Sequence, residues 1–500
     1  MNVPGWFTKD PRECPSAIVA AAVVTYAVMG LAVFNGPVTL DETGTWWVIS
    51  GDFGSLPMRA WTSPKLPFYY QTVKAWSLIG GDSVYFLRVF SVLCSLAAMI
   101  AVYRLCARLF DARTAGWSLV FLALNSSFLI NGTLARPYPL ALLLVLVSTI
   151  HLVIFAQTGK GRSFFVWQAT LLLSFFVHLY FLAVGLLHLL VILAHPNRRF
   201  FFDAVYKWLV YGLGLLVLFP VLMQLLLVRD NTQAMVFFDP SLTTTFSALL
   251  PVSFVVPFGL MLALAVLHRY DVRRVAAALL SDPRYRLVLI WALFPALLFG
   301  GYFIIAGEWL VLNRYIYYQV PALAIILSLL IQRLPAGEVV AVLLVTLVCT
   351  ALSVRADLGS LNYSAPDLTS VADDIEATDP TGECTLVTAS LFYESSFPGF
   401  YDDDLHRSFF GAFTRYFIKH RQIVLPRSLT PENAYIFVRR LGTAKEQPCL
   451  FDLAFEYNEV LTEGKYSPMS DYLRREIARG GFTVTGHDAG NHGSRHWVKE

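Results

Sequence analysis

The chain has 500 residues, of which 56% are apolar and only 15% charged. A soluble domain carries about 25% charged residues, so these proportions and a mean hydropathy of +0.58 exclude an ordinary soluble enzyme, a disordered chain and a collagen. Six cysteines with neither zinc-finger nor Cys-x-x-Cys spacing exclude a disulfide-rich scaffold, and a net charge of +3 gives no footprint for nucleic acid. What remains is a polytopic membrane protein with length to spare for one soluble domain.

Apolar runs of roughly 15 to 24 residues recur as far as residue 355, most of them long enough to cross a bilayer core. Eleven spans are expected, near 15–36, 84–107, 115–133, 138–157, 163–180, 181–195, 206–228, 246–267, 287–306, 316–332 and 338–355. The first is too long and too poorly flanked for a cleavable signal peptide and reads as a retained helix. The fifth and sixth are nearly continuous and require a tight turn around Tyr180. From Ala356 onward the chain holds 14 Lys/Arg and 21 Asp/Glu, against 24 and 14 before it. This shift predicts a transmembrane domain over 1–355 and a soluble domain over 356–500.

Lys and Arg placement predicts the topology. One set of loops carries Lys9 and Arg12, Arg108 and Arg113, Lys160 and Arg162, Arg198, Arg199 and Lys207, then Arg269, Arg273, Arg274, Arg284 and Arg286, then Arg333. The alternate short loops carry at most one cation each, Arg136, Arg229 and Arg314, the long first loop with Arg59, Lys65 and Lys74 being the exception. The N-terminus is therefore expected in the cytoplasm and the acidic C-terminal domain outside, on a multi-pass inner (plasma) membrane protein.

The outer loops collect the unusual polar groups. The first, about 37–83, opens with Asp41 and Glu42 at the end of span one and continues through Trp46, Trp47, Trp61, Lys65, Tyr69, Tyr70 and Trp76. So many aromatics among few charges predict amphipathic helices in the membrane interface or an aromatic belt. Adjacent carboxylates beside a membrane resist desolvation; a solvated loop end is the plain account of them, and company at the same depth favours a functional one. Arg136 and Tyr138 lie between spans three and four, His178 and Tyr180 end span five, and Arg314 and Tyr315, with Glu308 nearby, precede span ten. Cations at a lipid interface suit a phosphate head group, and a carboxylate suits a general base. Together they predict transfer from a lipid-linked phosphate donor to a hydroxyl, by single displacement with inversion.

These residues, in this order, resemble the GT-C membrane glycosyltransferases. The pieces are Leu40-Asp41-Glu42 after the first span, Pro64 to Tyr70, Ala135-Arg136 with Tyr138, and Arg314-Tyr315 followed by Pro321. The nearest likeness is to the family 39-like and 83-like enzymes, which include protein O-mannosyltransferases and the lipid A aminoarabinose transferase, and it covers roughly 15–355. The stretch from Val84 to Arg113 also reads like the family's second helix and following cytoplasmic loop. The resemblance implies a bundle of about 11 transmembrane helices with a C-terminal extracytoplasmic α/β domain. It implies Asp41 as the catalytic acidic residue and Glu42 as its partner, positioning acceptor or touching a metal. Lys65, Tyr69, Arg136, Tyr138, His178, Arg314 and Tyr315 become the substrate-binding set, with Lys65 departing from the His-Pro-Pro pattern of many members. The donor is a polyprenyl-phosphate sugar, and the acceptor a lipid such as lipid A, another glycan or a protein. No cofactor is required, although paired carboxylates are compatible with a divalent metal. A transporter or flippase of a lipid-linked glycan is the alternative; the lack of internal repeats and the placement of charges at span ends weigh against it.

In the C-terminal domain, helices are expected at Asp367–Thr378, from Leu391 and at Tyr466–Arg479, and strands at Cys384–Ala389, from Ala434 and from Phe482. Asp402, Asp403 and Asp404 read as a solvated loop rather than a calcium site. His487, His492 and His496 are too loosely spaced for a persuasive zinc site. Cys384 and Cys449 are the two cysteines placed outside, where a disulfide is permitted.

Overall fold

The computed structural model describes residues 16–62, 66–235, 249–268, 281–306, 313–364, 368–389, 416–425, 434–452, 467–486 and 495–499. Backbone in hydrocarbon must satisfy its own hydrogen bonds, so long apolar runs become helices. These are α1 (Ser16–Phe34), α2 (Leu40–Ser50), α3 (Leu56–Thr62), α4 (Pro67–Gly80), α5 (Val84–Leu109), α6 (Ala112–Ala123), α7 (Ser126–Thr133), α8 (Tyr138–Thr158), α9 (Gly161–Val177), α10 (Leu182–Leu193) and α11 (Val205–Met235). They continue with α12 (Val252–Leu267), α13 (Pro283–Ala306), α14 (Val320–Ile331) and α15 (Ala336–Ser364). Many outward apolar side chains are exposed, such as Leu297, Ile304 and Ile305, while polar contacts lie inside, such as the Ser118 hydroxyl donating to Ser328 Oγ at 2.9 Å. That distribution suits lipid as the solvent, and the chain is a polytopic helical membrane bundle with a C-terminal domain that contains a β-sheet.

Several expectations need correction. Among the described residues, six helices are long and apolar enough to cross a membrane, or seven if a bent pair counts as one span, where eleven spans were expected. Four further apolar helical stretches, Gly161–Val177, Leu179–Leu193, Val205–Phe219 and Val252–Leu267, fall short of the roughly 20 residues of a comfortable span. The third expected span is broken: α6 and α7 meet at 70°. Asn125 causes the break by capping α7, its Oδ1 accepting from the Phe128 amide at 2.9 Å. The turn around Tyr180 is present as a 3-10 turn, Leu179–Phe181. Helix α15 runs without interruption past residue 355 to Ser364.

The first outer loop folds as three helices, α2 to α4, in which Trp46, Trp47 and Trp76 are held by protein contacts. Trp47 is buried, the Trp46 indole donates to Asp82 at 3.1 Å, and Trp76 stacks on Phe86 at 5.1 Å.

The C-terminal domain has helices α16 (Leu368–Thr378), α17 (Ala434–Lys445) and α18 (Ser467–Arg479). Its strands are β1 (Thr385–Ala389), β2 (Arg421–Leu425), β3 (Cys449–Asp452), β4 (Phe482–Gly486) and β5 (Arg495–Lys499), in the order β2-β1-β3-β5-β4. The β1 strand pairs in parallel with β2 and β3, while β5 is antiparallel to β3 and β4. The strand expected from Ala434 is a helix. Ile436, Phe437, Arg440, Leu441 and Ala444 are buried on one face, a repeat of three to four that a period-two strand cannot present. Cys384 and Cys449 form a disulfide that joins the ends of β1 and β3. Among the earlier expectations, Lys9, Arg12, Lys65, Arg269, Arg273, Arg274, Glu308, the helix from Leu391, Asp402 to Asp404, His487 and His492 lie outside the described residues.

Candidate functional site

The site begins with a helix start. Thr39 caps α2, and Glu42 at the third helical position completes a capping box: the Thr39 amide donates to Glu42 Oε2 at 3.0 Å and the Glu42 amide to Thr39 Oγ1 at 3.4 Å. The same carboxylate receives Arg88 from α5, Nε at 2.8 Å on Oε1 and Nη2 at 2.7 Å on Oε2, and the Ala135 amide at 2.8 Å on Oε1. Glu42 and Arg88 are both fully buried. Arg88 also donates to the carbonyls of Phe34 at 2.6 Å, Gly36 at 2.8 Å and Pro37 at 2.7 Å. One ion pair thus ties the end of α1, the start of α2, the wall of α5 and the turn before α8. Leaving either partner alone would cost about 3–5 kcal/mol.

Glu42 therefore meets a structural task, where an acceptor or metal contact was expected. With its oxygens engaged by Arg88, Thr39 and Ala135, the Asp41–Glu42 pair is a poor donor set for a shared cation. A second potential metal cluster, Cys384, Cys449 and His496, brings its ligand atoms within 4.8 Å of one another, but both sulfurs are spent in the disulfide.

Asp41, one residue earlier, points the other way. Its side chain is 38% exposed and Oδ2 lies between Arg136 Nη1 and Arg314 Nη1, the latter at 3.0 Å. Arg136 is set by the clamp: Glu42 accepts from the Ala135 amide, and the Thr45 hydroxyl donates to the Ala135 carbonyl at 3.1 Å. Arg136 Nη2 donates to the Tyr138 hydroxyl at 3.0 Å. Burial lowers the pKa of the Arg136 guanidinium, with Tyr138 opposing and Arg314 adding to the effect; arginine stays charged regardless.

Around this core stands an aromatic wall. His178 lies 5.0 Å from Tyr138 and 5.6 Å from Tyr315 between ring centroids. Tyr180 stacks on Tyr315 at 4.2 Å. The structure thus brings together Asp41, Arg136, Tyr138, His178, Arg314 and Tyr315. Tyr69 is wholly buried and packs edge-on against Tyr70 at 5.0 Å. Sequence reasoning gave Arg88 no role and left Tyr180 out of the binding set. The signal for Arg88 was present, since a lone arginine inside an apolar span needs a partner.

The helical membrane bundle thus carries an acid in the first turn of α2, soon after its first helix, faced by arginines from two later turns. The family model described as dolichyl-phosphate-mannose-protein mannosyltransferase matches residues 64–223. Similar solved structures include ArnT from Cupriavidus metallidurans in the apo state, 13% identical over 97% of each chain with a TM-score of 0.54. The same protein bound to undecaprenyl phosphate gives 13% identity, 97% of each chain and a TM-score of 0.56. The Archaeoglobus fulgidus oligosaccharyltransferase tethered to an acceptor peptide is 13% identical over 97% of this chain and 74% of that chain, with a TM-score of 0.50. A comparison with curated proteins finds no match. About a third of the chain thus matches that family model, and the whole chain shares the fold of these solved structures.

Proposed function

We propose that the protein is an inverting glycosyltransferase that moves a sugar from a polyprenyl-phosphate donor to a hydroxyl or phosphate acceptor on a lipid, glycan or protein. The observation that carries this reading is Asp41 Oδ2 lying between Arg136 and Arg314 at one end of the bundle. Two arginines suit a phosphate better than a single carboxylate. Donor phosphate competes with Asp41 for them and leaves the carboxylate available as a base. For a hydroxyl acceptor, the oxygen attacks the anomeric carbon, the bond from that carbon to the phosphate oxygen breaks, Asp41 takes the acceptor proton and polyprenyl phosphate departs. Tyr138, His178, Tyr180 and Tyr315 flank the sugar and the first isoprene units. The known binding of undecaprenyl phosphate by the similar ArnT supports this donor class.

The same reading divides the chain into a transmembrane domain, 1–355, and an extracytoplasmic domain, 356–500. The four shorter apolar stretches also cross, giving eleven spans in the plasma membrane, with the N-terminus in the cytoplasm and Asp41 on the outer face. The alternation of Lys and Arg between loops supports this orientation. Mass spectrometry of lipid copurified with the Asp41→Asn protein tests the donor: a polyprenyl-phosphate sugar is expected. Movement of an intact lipid-linked glycan across the bilayer by that same variant would instead make it a flippase.

A further inference from the structure

At the other end of the bundle from Asp41 lies a cleft that sugar transfer does not use. Helix direction places it there. Helices α8 and α10 start beside Tyr138 and Tyr180 and finish at the cleft, whereas α13 starts at the cleft. It has a volume of about 60 Å³ and is walled by apolar side chains including Leu152, Ile192 and Leu287, with His195, Arg284 and Arg286 as its basic groups.

These three groups differ in how they are satisfied. Arg284 is held by Asp282, with Nη2 at 2.5 Å and Nε at 2.9 Å from Oδ2, so its charge is balanced. His195 Nδ1 accepts from the Asn197 amide at 3.2 Å, which leaves the proton of the neutral ring on Nε2. Arg286 is less well satisfied: Asp282 feels its charge but is hydrogen-bonded by Arg284, and the Arg286 Nε is buried with no acceptor among the described residues. A buried donor without an acceptor is costly, and basic pockets between membrane helices favour anionic head groups. What completes such a cleft is an anion carrying an apolar tail.

We propose that this cleft binds an anionic phospholipid from the leaflet opposite Asp41, with its phosphodiester on Arg286 and the first methylenes of one acyl chain between α8, α10 and α13. The narrow apolar volume suits a chain segment better than a sugar. The proposal does not depend on glycosyl transfer.

Native mass spectrometry of the full chain, released from micelles holding equal phosphatidylglycerol and phosphatidylcholine, tests it. The expected result is one retained phosphatidylglycerol, favoured about fivefold, the factor one cation near a head group provides. Arg286→Gln brings the ratio close to one, and Arg286→Lys keeps most of it. Ile192→Trp fills the cleft and removes the lipid with Arg286 still in place. Arg162→Gln, at an exposed position on the same end, changes nothing. Equal retention of the two lipids by the unaltered protein overturns the proposal, as does an undiminished preference in Arg286→Gln. An equal loss in Arg162→Gln overturns it too, because diffuse surface charge would then account for the preference. If Arg286→Gln fails to fold, Ile192→Trp decides: lipid retained at the original level rules the cleft out.

Discussion

Asp41 and Glu42 are adjacent in the chain and opposite in environment: Asp41 is 38% exposed between two arginines, and Glu42 is fully buried on Arg88. Successive positions on a helix are rotated by about 100°. One of the two carboxylates can therefore face the site while the other anchors the helix that presents it.

Asp41→Asn keeps size and hydrogen bonding and removes basicity. Transfer should fall by about 10²–10⁴, with donor still bound and the melting temperature little changed. Near-normal turnover in a purified transfer assay would remove Asp41 from the reaction.

Glu42→Gln should fail differently. It leaves Arg88 buried without its counter-charge, which costs stability of about 3–5 kcal/mol. A lowered melting temperature should accompany any loss of activity, and the double variant Glu42→Gln with Arg88→Met should recover part of the stability. A stable, inactive Glu42→Gln protein would instead assign this carboxylate to the chemistry.

Arg136→Ala and Arg314→Ala should each weaken binding of the lipid donor. Removing one partner of a buried charge-assisted contact costs about 2–5 kcal/mol, and the greater burial of Arg136 makes it the larger effect. Titration with undecaprenyl phosphate reads this directly. Unchanged affinity in both variants would move the phosphate elsewhere.

The C-terminal domain should carry an acid-sensitive clasp. Burial raises the pKa of the Asp379 carboxyl, but the Cys384 amide, Thr381 hydroxyl and Glu383 amide, with His420 alongside, outweigh it and hold the pKa at about 2. Because the folded pKa is depressed, the stabilisation is complete above the unfolded value of about 3.9 and fades as pH falls toward about 2. Asp379→Asn should lower the melting temperature at pH 6, and the difference should shrink as the pH is lowered through that window. A constant difference would exclude the carboxylate as the source.

A cysteine placed at Gly442, in α17, tests topology. It should react with a membrane-impermeant thiol reagent in intact cells once any outer layer is permeabilised. Labelling only after lysis would put the C-terminal domain in the cytoplasm and Asp41 on that side with it.

The sequence by itself determined the helical membrane class, because apolar runs of that length require internally satisfied backbone. It also placed Asp41, Arg136, Tyr138, His178, Arg314 and Tyr315 beside the ends of apolar runs, which share a depth, and the structure brings those six side chains together. Most C-terminal elements with clear periodicity, such as Thr385–Ala389 and Ser467–Arg479, were legible for the same local reason. Tertiary structure alone decided which carboxylate anchors and which faces the site, because burial of Glu42 comes from Arg88, 46 residues away. It decided the 70° bend at Asn125, where a side-chain cap competes with helix continuation inside one apolar run. It also made a helix of Ala434–Lys445: β-favouring residues at its start were overruled by a buried face that exists only once β2 lies beneath it.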